Sequence, residues 1–211
     1  MIPRLLFLTA CLEAAAFAAS PKPLYESNFE AGEVGKLPEG MMVMSGAFAV
    51  KQTSDGKVLE LPGEPLETFG LLFATSEPAD ISASGRFFGT KSGRKFPTFG
   101  ISLNGVGGYR LQISPGKKAL EIYKGDEAKT KVPFDWTSGA WTQLRIQLRK
   151  TGDKTWLVEG KAWPAGAPEP ASWVIRLEES EEPPPGRPGI WGSPYSGTPI
   201  QFDDLLLAPA S

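Results

Sequence analysis

The sequence has no histidine and a single cysteine, Cys11. The first absence excludes Ser-His and Cys-His nucleophilic systems, imidazole general-base catalysis and histidine-ligated zinc. The second leaves the chain beyond Cys11 with no thiol, no disulfide and no thiolate-bound metal. Acid–base chemistry would therefore fall to Asp, Glu, Tyr or Lys. A metal would need oxygen ligands, which means calcium or magnesium. An excess of one charge is also lacking. Lys and Arg number 22 against 24 Asp and Glu, a net charge of -2. Nothing in that balance draws the chain to nucleic acid or to an anionic membrane. After the first twenty residues no stretch approaches the ~20 apolar residues of a membrane helix, so no membrane span is expected.

What is present is a chain of 211 residues, 41% hydrophobic and 22% charged, the balance of a soluble globular protein. Its 24 glycines and 20 prolines favour short elements with many turns. Residues 1–20 read as an export signal. Arg4 supplies a positive charge, Leu5 to Leu12 an apolar stretch, and Ala16-Phe17-Ala18 a small-x-small cleavage site. Leu8-Thr9-Ala10-Cys11 also has the shape of a lipoprotein box, so a lipid-modified Cys11 is the alternative, as is an uncleaved anchor. The expected location is export: periplasm, cell surface or medium.

Residues 21–211 read as one β-sandwich domain. Alternation of apolar and polar residues recurs, and no 3.6-residue period is sustained. Residues 47–50 and 57–61 flank Ser54-Asp55-Gly56 as a hairpin. Strands follow at 68–74, 81–88, 96–103, 108–113, 118–124, 141–149, 155–163, 172–177, 189–192 and 199–207. Asn104-Gly105 is a hairpin signal between two of them. Glu178 to Pro185 reads as an acidic, proline-stopped loop. About twelve to fourteen strands with closely spaced turns mean an all-β fold, a two-sheet antiparallel β-sandwich or jelly roll. The first and last strands are expected to be neighbours.

A series of short motifs runs in a recognisable order. Asn28-Phe29-Glu30 and Gly35-Lys36-Leu37-Pro38 stand near the start, and Gly107-Gly108-Tyr109-Arg110-Leu111-Gln112-Ile113 in the middle. Gly139-Ala140-Trp141, Gly160-Lys161-Ala162-Trp163, Gly189-Ile190-Trp191-Gly192 and Phe202-Asp203-Asp204-Leu205 follow. This order resembles the concanavalin A-like lectin/glucanase superfamily over residues 25–208. In particular it resembles the laminin-G-like and 3-keto-disaccharide hydrolase-like domains of exported bacterial proteins. The resemblance implies two curved antiparallel sheets and a carbohydrate ligand, often without catalysis. The Glu-x-Asp-x-x-Glu strand of the glucanases is absent. Retaining hydrolysis needs two carboxyls about 5 Å apart, and no strand here offers them at alternate positions.

If the strands alternate as read, Arg110 and Gln112 share a polar side with Glu121, Tyr123, Arg145 and Gln147, and Glu159 can join them. Such a free sheet face can hydrogen-bond sugar hydroxyls, and Tyr can stack on a sugar ring; the other reading is a solvated face whose charges satisfy each other. Trp163 and Trp173, and likewise Trp191 and Tyr195, are either packed rings or a sugar-stacking platform. A structural calcium is expected between the chain ends, held by Glu30, Asp203 and Asp204, because paired terminal strands would bring three carboxylates together. In similar jelly-roll modules calcium often occupies that place. The alternative is that the two aspartates pair with loop amides or a nearby cation. The functional expectation is an exported, non-catalytic carbohydrate-binding or adhesion-like module taking a polysaccharide or glycoconjugate. Glycoside hydrolysis by an Asp/Glu pair and a structural cell-surface role without a small ligand are the alternatives.

Overall fold

The computed structural model describes residues 22–77 and 79–210, so the expected export signal lies outside the described residues. In chain order the strands begin with β1 (Tyr25–Ser27), β2 (Met42–Ser45), β3 (Ala49–Thr53), β4 (Gly56–Leu61) and β5 (Phe69–Leu72). β6 (Ile81–Phe88), β7 (Thr98–Leu103), β8 (Tyr109–Ser114), β9 (Ala119–Lys124) and β10 (Glu127–Pro133) follow. β11 (Thr142–Gly152), β12 (Thr155–Pro164), β13 (Ile175–Glu179), β14 (Gly189–Ser193) and β15 (Ile200–Pro209) complete the series. They form an 8-stranded sheet, β13-β12-β11-β6-β15-β4-β3 with β1 on β15, and a 7-stranded sheet, β10-β9-β8-β7-β14-β5-β2. Among the described residues the strands of both sheets pair antiparallel. This is the expected two-sheet sandwich. β1 lies against β15, Tyr25 opposite Leu207, so the first strand neighbours the last, as expected.

The alternation that identifies the strands also builds the core. On β8, Tyr109, Leu111 and Ile113 turn inward and are fully buried, while Arg110 and Gln112 turn outward. On β11, Leu144, Ile146 and Leu148 do the same from the other sheet. Phe87 stacks on Phe99 at 5.8 Å across the sandwich and meets the edge of Phe202 at 5.5 Å. Trp156 belongs to this core, as its alternation with Val158 predicts. The Asn104-Gly105 turn between β7 and β8 takes left-handed φ values of 63° and 70°, which Asn and Gly tolerate.

One local expectation needs correction, and two edge strands are additional to those expected. Glu178 and Glu179 belong to β13 rather than to a loop, because they continue its pairing with β12, opposite Leu157 and Trp156. β10 gives little sequence signal. It is an edge strand, exposed along most of its length, and needs no apolar alternation. β2, also an edge strand, is exposed throughout. Among the described residues no helix is long and apolar enough to cross a membrane.

Candidate functional site: the outer face of the 7-stranded sheet

Strand register brings polar and aromatic side chains together on this face. Gly70 lies opposite Trp191, Trp191 opposite Gly100, Gly100 opposite Gln112, and Gln112 opposite Glu121. They form one rung across β5, β14, β7, β8 and β9. The next rung places Ser102 opposite Arg110 and Arg110 opposite Tyr123. Arg110, Gln112, Glu121 and Tyr123 therefore share one surface, as the alternation predicts.

Trp191 lies on this surface because Gly70 has no side chain. A Cβ at Gly70 would stand 2.6 Å from the indole ring. The indole N–H donates to Ser102 Oγ at 2.8 Å, which fixes the ring's rotation. Gly70→Ala should displace the ring and lower stability by about 1–3 kcal/mol, the usual cost of overpacking. Urea unfolding checks this; an unchanged midpoint would mean the ring is not held by that contact. Arg110 lies between two rings, its guanidinium carbon 4.8 Å from the Tyr123 centroid and 5.3 Å from that of Trp191. Burial pulls this guanidinium below its ordinary pKa.

Glu121 is buried and saturated with donors: Ser114 Oγ at 2.5 Å, Lys117 Nζ at 3.0 Å and Tyr123 Oη at 3.1 Å. Burial pushes its carboxyl up, but these hydrogen bonds and the Lys117 charge outweigh that and hold it below the ordinary 4.5. A carboxyl lowered on folding contributes stability above its unfolded value and loses it as pH falls through its folded value. The stability gap between wild type and Glu121→Gln should accordingly narrow as pH drops below 4.5. Denaturation midpoints measured across that range check it; a gap constant with pH would contradict the lowered carboxyl.

Beside these residues lies a groove of about 400 Å³. Thr98, Gln112 and Ser193 come from the sheet, Phe96 from the β6–β7 loop, Lys117 from the short 3₁₀ turn after β8, and Tyr195 from the β14–β15 loop. Arg110 reaches the same groove. Thr68 closes one side, its hydroxyl 2.7 Å from Ser193 Oγ and 3.4 Å from Tyr195 Oη. Tyr195 is 44% exposed. Sequence reasoning had singled out Tyr195 but missed Phe96, Thr68, Thr98 and Ser193. They meet only when loops and strands far apart in the chain close over one face, and no local pattern marks them.

Arg145 and Gln147 do not share this site. They lie on the outer face of the 8-stranded sheet, because the segment 134–141 carries the chain from one sheet to the other between β10 and β11. Alternation tells which side of a strand a residue takes, not which sheet the strand joins. Arg145 pairs with Glu169 at 2.9 Å beneath Trp173, whose ring also lies 4.5 Å from Lys161 Nζ. Gln147 donates to the buried Glu159 at 2.7 Å, and Arg149 and Arg176 converge on the same carboxylate at 2.9 and 3.0 Å. Trp163 is buried. These groups satisfy one another; the packed reading holds for Trp163, while Trp173 is half-buried over the cations of Arg145 and Lys161.

The expected calcium ligands are not gathered either. Glu30 accepts the Lys57 amide at 2.9 Å across the β3–β4 hairpin end. Asp203 and Asp204 both face Arg86, at 2.6 and 2.9 Å. A bulge in β15 between Asp203 and Leu206, with Asp204 at a φ of 49°, turns both carboxylates toward this one guanidinium. Arg86 thus relieves the repulsion assigned to a cation. Among the described residues no three acidic side chains form a metal cluster. Beside Asp204 lies a polar cleft of about 590 Å³, lined also by Glu26, Asn28, Ser84 and Gln143.

Solved structures place this architecture. The carbohydrate-binding module CBM66 from Bacillus subtilis matches with a TM-score of 0.56 at 11% identity, over 80% of this chain and 95% of that one. The Emp46p carbohydrate recognition domain, in a potassium-bound form, matches with a TM-score of 0.60 at 12% identity, over 91% of this chain and 100% of that one. The chain has the concanavalin A-like sandwich fold. A xylan β-1,4-xylosidase from Bacillus halodurans C-125 contains the same sandwich. It matches with a TM-score of 0.56 at 13% identity over 93% of this chain, but only 41% of the enzyme. At such identities the shared property is the fold. No protein-family model matches the sequence, and no curated protein matches it.

Proposed function

We propose that this concanavalin A-like protein is an exported, non-catalytic carbohydrate-binding module whose polysaccharide or glycoconjugate lies in the groove of the 7-stranded sheet. The observation that carries the reading is the groove's composition. Rings at Phe96 and Tyr195 border hydroxyls at Thr98 and Ser193, an amide at Gln112 and a guanidinium at Arg110. A sugar offers an apolar ring face edged by hydroxyls, and this lining meets both. Tyr123 supports rather than stacks, since Arg110 covers its ring and Glu121 takes its hydroxyl. The solved structures that share the fold include a carbohydrate-binding module and a carbohydrate recognition domain, which favours the same reading. A glycan array run beside a hydrolysis assay tests it. Binding without turnover is the expected result; no binding to any glycan would overturn it. Export rests on residues 1–20. The protein produced with its own leader should be recovered outside the cytoplasm with a mass beginning at Ala19.

A second reading has one observation in its favour. The larger cleft is lined by two carboxylates, Glu26 and Asp204. Turnover in the hydrolysis assay, abolished by both Glu26→Gln and Asp204→Asn, would make the protein a glycoside hydrolase acting there.

A further inference from the structure

Arg110 differs from the other arginines on the two sheet faces. Arg86 pairs with Asp203 and Asp204, Arg145 with Glu169, and Arg149 and Arg176 with Glu159. Arg110 has neither an ion pair nor a hydrogen bond among the described residues, and its Nε is buried without a partner. The guanidinium carbon lies over the rings of Tyr123 and Trp191, whose electrons attract its charge. The rings offer no acceptor oxygen, so the buried Nε keeps an N–H donor unmet. Withholding an acceptor from a buried N–H donor is costly unless something else supplies one. The nearest carboxylates are taken or remote. Glu121 is committed to Ser114, Lys117 and Tyr123, and Asp126 acts on Arg110 only through space.

No carboxylate lines the groove into which Arg110 reaches, whereas a second cation, Lys117, does. The Lys117 side chain is 61% exposed despite its bond to Glu121. A planar fork of donors with a second positive charge nearby favours an anionic oxygen pair over a neutral hydroxyl. We infer that the glycan taken by this groove is acidic, and that its carboxylate or sulfate is the missing counter-ion of Arg110. The inference rests on the groove being a glycan site and goes further, to the charge of the ligand.

Matched polymer pairs separate the two claims. Polygalacturonate is compared with its methyl ester, and κ-carrageenan with its desulfated form, by titration calorimetry at low and at physiological salt. In at least one pair the acidic member should bind about ten-fold or more tightly than the neutral one, the increment of a charge-assisted hydrogen bond. Its affinity should fall with added salt. The first pair reports a carboxylate ligand and the second a sulfate. Arg110→Gln should erase the acidic preference, and Arg110→Lys should retain part of it. The wild-type pairs and their salt dependence decide the matter even if a variant folds poorly. Equal affinity within both pairs would overturn the inference and leave the carbohydrate reading intact. An acidic preference that persists in folded Arg110→Gln would overturn the role of Arg110. No binding to any member of the panel or to the glycan array would overturn both readings.

Discussion

Phe96→Ala combined with Tyr195→Ala should weaken glycan binding about a hundred-fold while moving the melting temperature little. Each ring can cover roughly 60 Å² of a sugar's apolar face, worth about 1.5 kcal/mol at 25 cal/mol per Å². Two such rings give about 3 kcal/mol, or two orders of magnitude in Kd. Neither residue belongs to the buried core. The hydroxyl that Tyr195 shares with Thr68 is a long contact at 3.4 Å, so its loss leaves the rim nearly intact. Arg145→Ala is the matching control. It lies on the other sheet and should leave affinity unchanged. Equal weakening by Arg145→Ala, or none by the double variant, would move the site away from this groove. Calorimetry with a thermal scan reads both quantities.

Glu159→Ala should have the opposite profile: a large loss of stability and no loss of glycan affinity. Its carboxylate is 1% exposed and receives Gln147, Arg149 and Arg176 together. Removing it strips a carboxylate acceptor from fully buried Gln147 and leaves two guanidiniums without a counter-ion. Breaking a buried ion pair costs about 3–5 kcal/mol. Arg149 and Arg176 are 36% and 60% exposed and can turn to water, which lowers the expected cost to about 2–4 kcal/mol. Glu159→Gln keeps the volume and one acceptor, and should cost about half as much. Urea unfolding reads the difference. A Glu159→Ala midpoint equal to wild type would mean that the cluster contributes no net stability.

The two variants also mark where local pattern stops being informative. β6 is legible in its bounds, Ile81–Phe88, and its burial alternates from Ala83 onward. The outward placement of Arg110, Gln112, Glu121 and Tyr123 follows from the same period of two. The partnering of sheets does not. Arg145 alternates as regularly as Arg110, yet β11 joins β6 and β12 while β8 joins β7 and β9. That choice is made by crossing segments such as 134–141, whose sequence has no period to read. Charge repulsion between Asp203 and Asp204 is also visible in the sequence. Its relief by Arg86 is not, because the bulge in β15 that turns both toward one guanidinium is a tertiary feature. Trp191 needs Gly70 beneath it, and only the register of β5 against β14 reveals the pair.

The pairing of β1 with β15 has a practical consequence. Leu24 donates its amide to Leu207 and the last strand ends against Ile81, so both ends of the fold leave from the 8-stranded sheet. The groove opens on the outer face of the other sheet, with the thickness of the sandwich, roughly 10 Å between sheets, in the way. A molecule held by either end, whether on a lipid, on a neighbouring domain or on a sensor chip, would present its groove outward. Immobilisation through an N- or C-terminal tag should therefore leave glycan affinity equal to that in free solution, whereas coupling through Lys117 should block it.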